Sequence, residues 1–200
     1  RRQRQMCIRD SPEPVAIVDL PGIYSLSPYT PEEVIARNYL LDEKPDCVIN
    51  IVDATNLERN LYLTTQILEI DVPMVIALNM MDAVEKAGDK IDAKELEKRL
   101  GVPVVKISAL KEEGLRELMD KAWNESKKVR MGTTVLQDTA LIHLVGDVKI
   151  ALEGQKVKNP LFHAVKLVEG DEIERKMHAE TVNMVEAFKK TFHDLSLIHI

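Results

Sequence analysis

Apolar and polar positions along the chain switch repeatedly between a period of two and a period near 3.6, the signatures of strand and helix. Residues 15–20 are a short β-branched run closed by Pro21-Gly22, which predicts a strand ending in a turn. Thr30 followed by Pro31-Glu32-Glu33 predicts a capped helix start, and Pro45 ends that segment. Residues 46–52 are almost continuously apolar, as a strand buried on both faces should be. Asn56 is placed to cap a helix over 57–70, with Leu57, Leu61, Thr64, Ile67 and Leu68 on one face. A third strand is predicted over 73–78. A charged amphipathic helix follows over 89–100 and stops at Gly101. A fourth strand covers 102–107, and a helix over about 114–127 turns Leu115, Leu118, Met119 and Ala122 inward. Strand and helix thus alternate from residue 15 to about 127. That order predicts an α/β fold: four parallel strands with helices on both faces, and ligands at the carboxyl ends of the strands.

Beyond Lys128 the pattern changes. Gly132-Thr133-Thr134 reads as a linker, and helices are predicted over 136–152 and 171–192. Between them lie residues 154–160 and a short apolar segment, 161–168. No further strand is expected, so the α/β part, residues 12–130, should be followed by a small all-helical domain, 131–193. The longest apolar runs, 47–52 and 72–78, are interrupted by Asn50 and Pro73 and fall far short of the ~20 residues of a spanning helix. Cys7 and Cys47 are too few for a disulfide framework, and Cys47 reads as a reduced buried thiol.

Charge narrows the partners. The formal net charge is −6, although Arg1, Arg2, Arg4 and Arg9 crowd the first eleven residues. The remainder is therefore more acidic still, which argues against a nucleic-acid or anionic-membrane binder. The opening stretch has no periodicity and no cap. It resembles translated sequencing-adapter sequence, as does the closing Leu195-Ser196-Leu197-Ile198-His199-Ile200. Residues 1–11 and 194–200 are expected to stand outside the fold as artefacts.

Three strand ends carry candidate chemistry. Asp19-Leu20-Pro21-Gly22 follows the first strand; Asp19 can hold the water shell of Mg²⁺ beside phosphates, and Gly22 lets a backbone N–H approach a γ-phosphate. Alone, D-x-P-G is also a common turn. Asn79-Met80-Met81-Asp82 follows the third strand. The Asp82 carboxylate can accept both N1–H and the exocyclic amine of guanine, a donor pair that adenine lacks. Asn79 can bond the base edge or brace neighbouring loops, and Met80 can lie along the base. Asn79 and Asp82 equally suit helix caps. Ser108-Ala109-Leu110 follows the fourth strand; the Ala109 N–H can donate to guanine O6 while Ser108 stiffens the turn, although Ser before a helix is usually a cap. The three together, in this order and each at a strand end, point to a partial P-loop GTPase fold. A phosphate loop of the form G-x-x-x-x-G-K-[ST] occurs nowhere in the sequence. The expectation is a truncated G domain lacking that loop and the first switch.

The wording of the motifs resembles one family. Asp19-Leu20-Pro21-Gly22-Ile23-Tyr24-Ser25-Leu26 is similar to the second switch of FeoB, the bacterial ferrous iron transporter. So are Tyr29-Thr30-Pro31-Glu32-Glu33 and the run from Val52-Asp53-Ala54-Thr55 to Asn60-Leu61. Asn79-Met80-Met81-Asp82 and Ser108-Ala109 resemble its base-recognition motifs, and the segment 159–171 resembles its helical domain. The resemblance implies a GTPase binding GTP or GDP with Mg²⁺ and K⁺, at the cytoplasmic face of the bacterial inner membrane. It further implies a membrane transport domain on the same polypeptide as partner. The chain departs from the family's pattern by lacking the phosphate loop, the first switch and membrane spans, so the fragment itself is expected to be soluble and inactive, and its acidity to exclude nucleic acid as partner. Ile23 stands where Ras-like GTPases place a water-positioning Gln, so no catalytic residue is identifiable. Two other readings stay open: a soluble GTPase of the translation-factor or ribosome-assembly kind, and a non-enzymatic nucleotide-sensing module. His143, His163 and His178 are scattered without metal-ligand spacing and read as surface or packing residues.

Overall fold

The computed structural model describes residues 3–6, 15–27 and 30–191. Its first two strands, β1 (Gln3–Met6) and β2 (Val15–Val18), pair antiparallel, with Gln3 opposite Val18 and Met6 opposite Val15. This corrects two expectations. The strand at 15–20 belongs to its own two-stranded ribbon and not to a four-stranded parallel sheet, and residues 3–6 take part in it. Alternation marks a strand but carries no information about its partner, and β2 is at most half-buried on either face, which suits antiparallel pairing.

Helix α1 (Pro31–Asp42) starts as the sequence predicts. Thr30 Oγ1 accepts from Glu33 N at 3.3 Å, Glu33 Oε2 accepts from Thr30 N at 3.2 Å, and Pro31 opens the first turn. Strand β3 (Val48–Asp53) runs through a 3-10 turn, Ala54–Asn56, into α2 (Leu57–Leu68). Asn56 makes no side-chain cap bond; Asp53 holds the turn instead, its Oδ1 accepting from Thr55 N at 2.8 Å. Strand β4 (Met74–Asn79) is followed by α3 (Met81–Ala87) and then α4 (Ala93–Leu100), which is capped by Asp92 and stopped by Gly101 at φ +68°. Strand β5 (Val104–Lys106) leads to α5 (Leu115–Glu125).

The parallel sheet has the order β3-β4-β5. Every β4 residue from Met74 to Leu78 is buried. Met74, Ile76 and Leu78 face a core with Leu26, Leu40, Val52, Ile67 and Leu68, while Val75 and Ala77 face Val105, Leu118 and Ala122. Helices therefore cover both faces, as the apolar continuity of the strand requires.

The last part is helical: α6 (Thr139–Gly154), α7 (Pro160–Glu169), α8 (Glu172–Met177) and α9 (Ala179–Thr191). The apolar segment at 161–168, left unassigned from sequence, is the centre of this part; every residue from Pro160 to Val168 is buried. Its polar residues His163 and Lys166 are buried with the apolar ones, and in a run this short periodicity does not separate a buried helix from a strand. The single helix expected over 171–192 is two, broken at His178. The expected linker is pinned down. Gly132 N donates to Asp71 Oδ1 at 2.7 Å, Thr133 N to Leu68 O at 2.7 Å, and Arg130 Nη1 to Leu68 O at 3.0 Å. Phe162 of α7 reaches into the core below the sheet, so the two parts share buried surface. Among the described residues no helix is long and apolar enough to cross a membrane.

Candidate functional site

The carboxyl ends of β4 and β5 lie side by side because the strands are paired up to Leu78 and Lys106. The chain leaves each strand into a tight loop. After β4, Met80 takes a left-handed conformation, φ +64°, which turns Met81-Asp82 back over the sheet edge. After β5, Ser108 and Glu113 exchange two backbone hydrogen bonds of 3.1 Å, closing a loop that holds Ala109 and Leu110 at its tip. Ile107 O accepts from Met81 N at 3.3 Å and ties the loops together.

Side chains complete the link. Ser108 Oγ donates to Asp82 Oδ1 at 2.8 Å, and Asn79 Oδ1 accepts from Ala109 N at 3.0 Å. Ser108 is buried, whereas Ala109 is exposed. Asp82 is thus fixed by one oxygen, and Oδ2 keeps its lone pairs for a ligand. Asn79 keeps Nδ2 as a donor. The exposed Met80 and Leu110 stand at the loop tips, where a flat apolar ring would find contact. Asn79, Asp82, Ser108 and Ala109 therefore form one hydrogen-bonded unit. The helix-cap alternative fails for Asn79 and Asp82: α3 begins at Met81 with Met80 in the cap position and no side-chain cap bond.

Asp19 and Gly22 follow β2, on the ribbon, and both are exposed. The loop beyond them is anchored at the buried Leu26. Its N–H donates to Gln66 Oε1 at 2.6 Å, and its carbonyl accepts from Arg37 Nη1 at 3.0 Å.

The sequence profile of the family described as "Ferrous iron transport protein B" matches residues 2–122, more than half of the chain. The chain belongs to the FeoB family. It is 43% identical over 169 residues to a ferrous iron transport protein A/FeoB fusion protein of Porphyromonas gingivalis, covering 78% of this chain and 20% of that protein. It is 44% identical over 122 residues to FeoB of Salmonella typhimurium, covering 59% of this chain and 16% of that one. The chain thus spans about a fifth of the length of these FeoB relatives. Among solved structures, NFeoB of S. thermophilus bound to GDP·AlF4⁻ and K⁺ superposes with a TM-score of 0.81 at 40% identity, over 89% of this chain and 73% of that one. The cytosolic domain of T. maritima FeoB in its GMPPNP form gives 0.77 at 30% identity, over 90% and 80%. These likenesses carry the α/β fold with its helical extension.

Several groups in this FeoB chain escaped sequence reasoning because they are polar and buried far from any motif. Gln66, Arg37 and Glu174 sit in patterns that read as solvent-facing helix, yet all three are buried. Arg37 bonds Glu174 and lies 3.6 Å from Asp171 Oδ2, so α1 and α8 are ion-paired. The histidines are not all scattered. His163 and His178 converge on Glu174 across the α7–α8 corner, while His143 stands alone and exposed on α6. In the sequence only Glu174 and His178 stand at i,i+4; His163 arrives through the turn at Gly170. Cys47 is half-buried, and burial, with Glu125 and Asp46 nearby, pushes its thiol up to about 11, an inert group. Cys7 lies outside the described residues.

Proposed function

We propose that this chain is the base-selecting part of a guanine-nucleotide-binding domain that regulates a ferrous iron transporter. The observation that carries the reading is the Ser108–Asp82 and Asn79–Ala109 pair of hydrogen bonds, which presents a fixed carboxylate beside two exposed apolar side chains. Asp82 Oδ2 accepts from guanine N1–H and the exocyclic amine. Asn79 Nδ2 donates to the base edge, and Met80 and Leu110 pack on the ring faces. The Ala109 N–H, engaged by Asn79 here, turns to guanine O6 as the base enters. Asp19 supports the water shell of Mg²⁺ and Gly22 approaches the γ-phosphate, the remaining phosphate contacts coming from residues outside this sequence. K⁺ is a further cofactor of the intact protein, and the membrane transport domain is its partner in cis. The acidic body favours this reading over a GTPase that works on RNA. GTP hydrolysis belongs to the intact protein.

The test is base preference. In protein extended to include a phosphate loop, Asp82→Asn should shift preference from GDP toward XDP, because the 2-oxo group of xanthine pairs with an amide where the guanine amine needs a carboxylate. Loss of the paired contact costs about 1–3 kcal/mol for guanine. Competition of unlabelled GDP and XDP against a fluorescent GDP reads the change; equal ranking in wild type and variant removes Asp82 from the base site.

A further inference from the structure

The one group of facing histidines and carboxylate in the described residues lies outside the base site. Glu174, fully buried on α8, sends Oε2 toward two imidazoles. His163 Nδ1 of α7 is 2.7 Å away, and His178 Nε2, one helical turn beyond Glu174, is 3.5 Å away. One ligand atom from each of the three residues lies within 4.8 Å of the other two. The His163 and His178 rings stand 5.2 Å apart at 65°. His178 Nε2 is buried and makes no hydrogen bond. A buried imidazole nitrogen without a partner, aimed at a carboxylate that a second imidazole already touches, is costly as a packing arrangement. It is what a ligand set looks like before its ion arrives.

We infer that His163 Nδ1, Glu174 Oε2 and His178 Nε2 form a binding site for a divalent transition-metal ion of the Fe²⁺–Zn²⁺ class. Two imidazoles and one carboxylate leave open positions for water and match the preferences of these borderline ions, whereas Mg²⁺ and Ca²⁺ take oxygen ligands. An ion with bonds of about 2.0–2.2 Å holds tetrahedral ligand atoms about 3.3–3.6 Å apart. The His178–Glu174 separation already has that value. The His163–Glu174 pair must open by less than about 1 Å, and the proton the two share moves to His163 Nε2 or to solvent as Nδ1 takes the metal. Arg37 is the positioning residue: it bonds the other carboxylate oxygen, Oε1, and so keeps Oε2 turned to the histidines. With Asp171 also beside Arg37, the carboxylates exceed the guanidinium by one charge, which suits a dication. Arg37 also donates to Leu26 O, so the ligand carboxylate is two hydrogen bonds from the loop that follows Asp19 and Gly22.

The experiment uses the 200-residue chain carrying Cys7→Ser, His193→Gln and His199→Gln, which removes other thiol and imidazole ligands near the termini. Chelator-stripped protein is titrated with Co²⁺, read by visible d–d absorption, and with Zn²⁺ by calorimetry, both in excess Mg²⁺. The expected result is one ion per chain, with Zn²⁺ abolishing the Co²⁺ bands. His178→Asn should lower Zn²⁺ affinity at least tenfold while the metal-free chain still melts in one cooperative transition, since His178 Nε2 holds no hydrogen bond in the fold. His163→Gln should weaken binding as strongly. Absence of a saturable Co²⁺ spectrum in the parent chain, or a Zn²⁺ isotherm in His178→Asn equal to the parent's, overturns the site.

Discussion

Glu69 shows how much a single side chain can escape a reading by motif. It follows α2 between Leu68 and Ile70, is 5% exposed, and one of its carboxylate oxygens is buried without a partner. Burial pushes its pKa up to about 8, reinforced by Glu169 and opposed by Lys166 and a hydrogen bond from Thr134. The folded protein therefore keeps a proton that the unfolded chain releases near its ordinary value of 4.5. That contribution to stability is complete below the unfolded value and is lost as pH rises toward 8, at up to about 1.4 kcal/mol per pH unit. His178 works in the opposite sense: burial lowers its pKa despite Glu174, so folding gains as its unfolded counterpart loses a proton. The difference between wild type and Glu69→Gln isolates the carboxyl. Melting temperatures from pH 5 to 8.5 should fall more steeply in wild type, and parallel curves would show that Glu69 is ionised in the fold.

Elements were legible where a strand is continuously apolar and where caps are local. The Thr30 capping box, the Asp92 cap and the Gly101 stop are short-range chemistry, and β4 announces itself by apolar continuity; β3, equally apolar in sequence, is not buried on both faces but stands at the end of the described sheet with Ile51 exposed. The pairing of β2, the burial of α7 with its His163 and Lys166, and the break at His178 depend on distant partners, which no local pattern encodes. The site follows the same division. Asn79, Asp82, Ser108 and Ala109 could be named from strand ends, but not that Ser108 holds Asp82 or that Asn79 engages the Ala109 amide. The loop bearing Ser108 and Ala109 depends on Gly114, at φ +76°, where an added Cβ would lie 2.3 Å from the Lys106 carbonyl oxygen and 3.1 Å from Ile107 Cγ2. Gly114→Ala should therefore cost about 1–3 kcal/mol, from left-handed strain plus displacement of β5. Urea midpoints measure it; an unchanged midpoint would mean the loop re-forms without moving the strand.

At the scale of the whole molecule, the proposed base site is present, while a phosphate loop of the form G-x-x-x-x-G-K-[ST] is not found in the sequence. Oriented backbone amides and a lysine supply most of the affinity of a phosphate loop. Without them, and with Asp19 repelling phosphate when no Mg²⁺ is bound, this 200-residue chain should bind a fluorescent GTP analogue weakly or not at all. Micromolar, Mg²⁺-dependent binding would relocate the affinity to the residues present. Among the described residues β3 pairs with β4 alone, which leaves its other edge, beside the exposed Ile51, as a surface prone to association.

The position of β4 has a consequence in time. It is hydrogen-bonded to a strand on either side, shielded on both faces, and Ile76 N donates to Pro103 O at 2.9 Å inside the core. No local fraying bares that amide, so its exchange with deuterated solvent must wait for opening of the entire α/β part. The amide of Thr30, which bonds only an exposed carboxylate, should exchange many orders of magnitude sooner. Mass-resolved exchange should therefore make the peptide holding Ile76 the last to take up deuterium, at a rate that reports global unfolding. A β4 peptide labelled as early as α4, which buries no residue, would show that the sheet opens strand by strand.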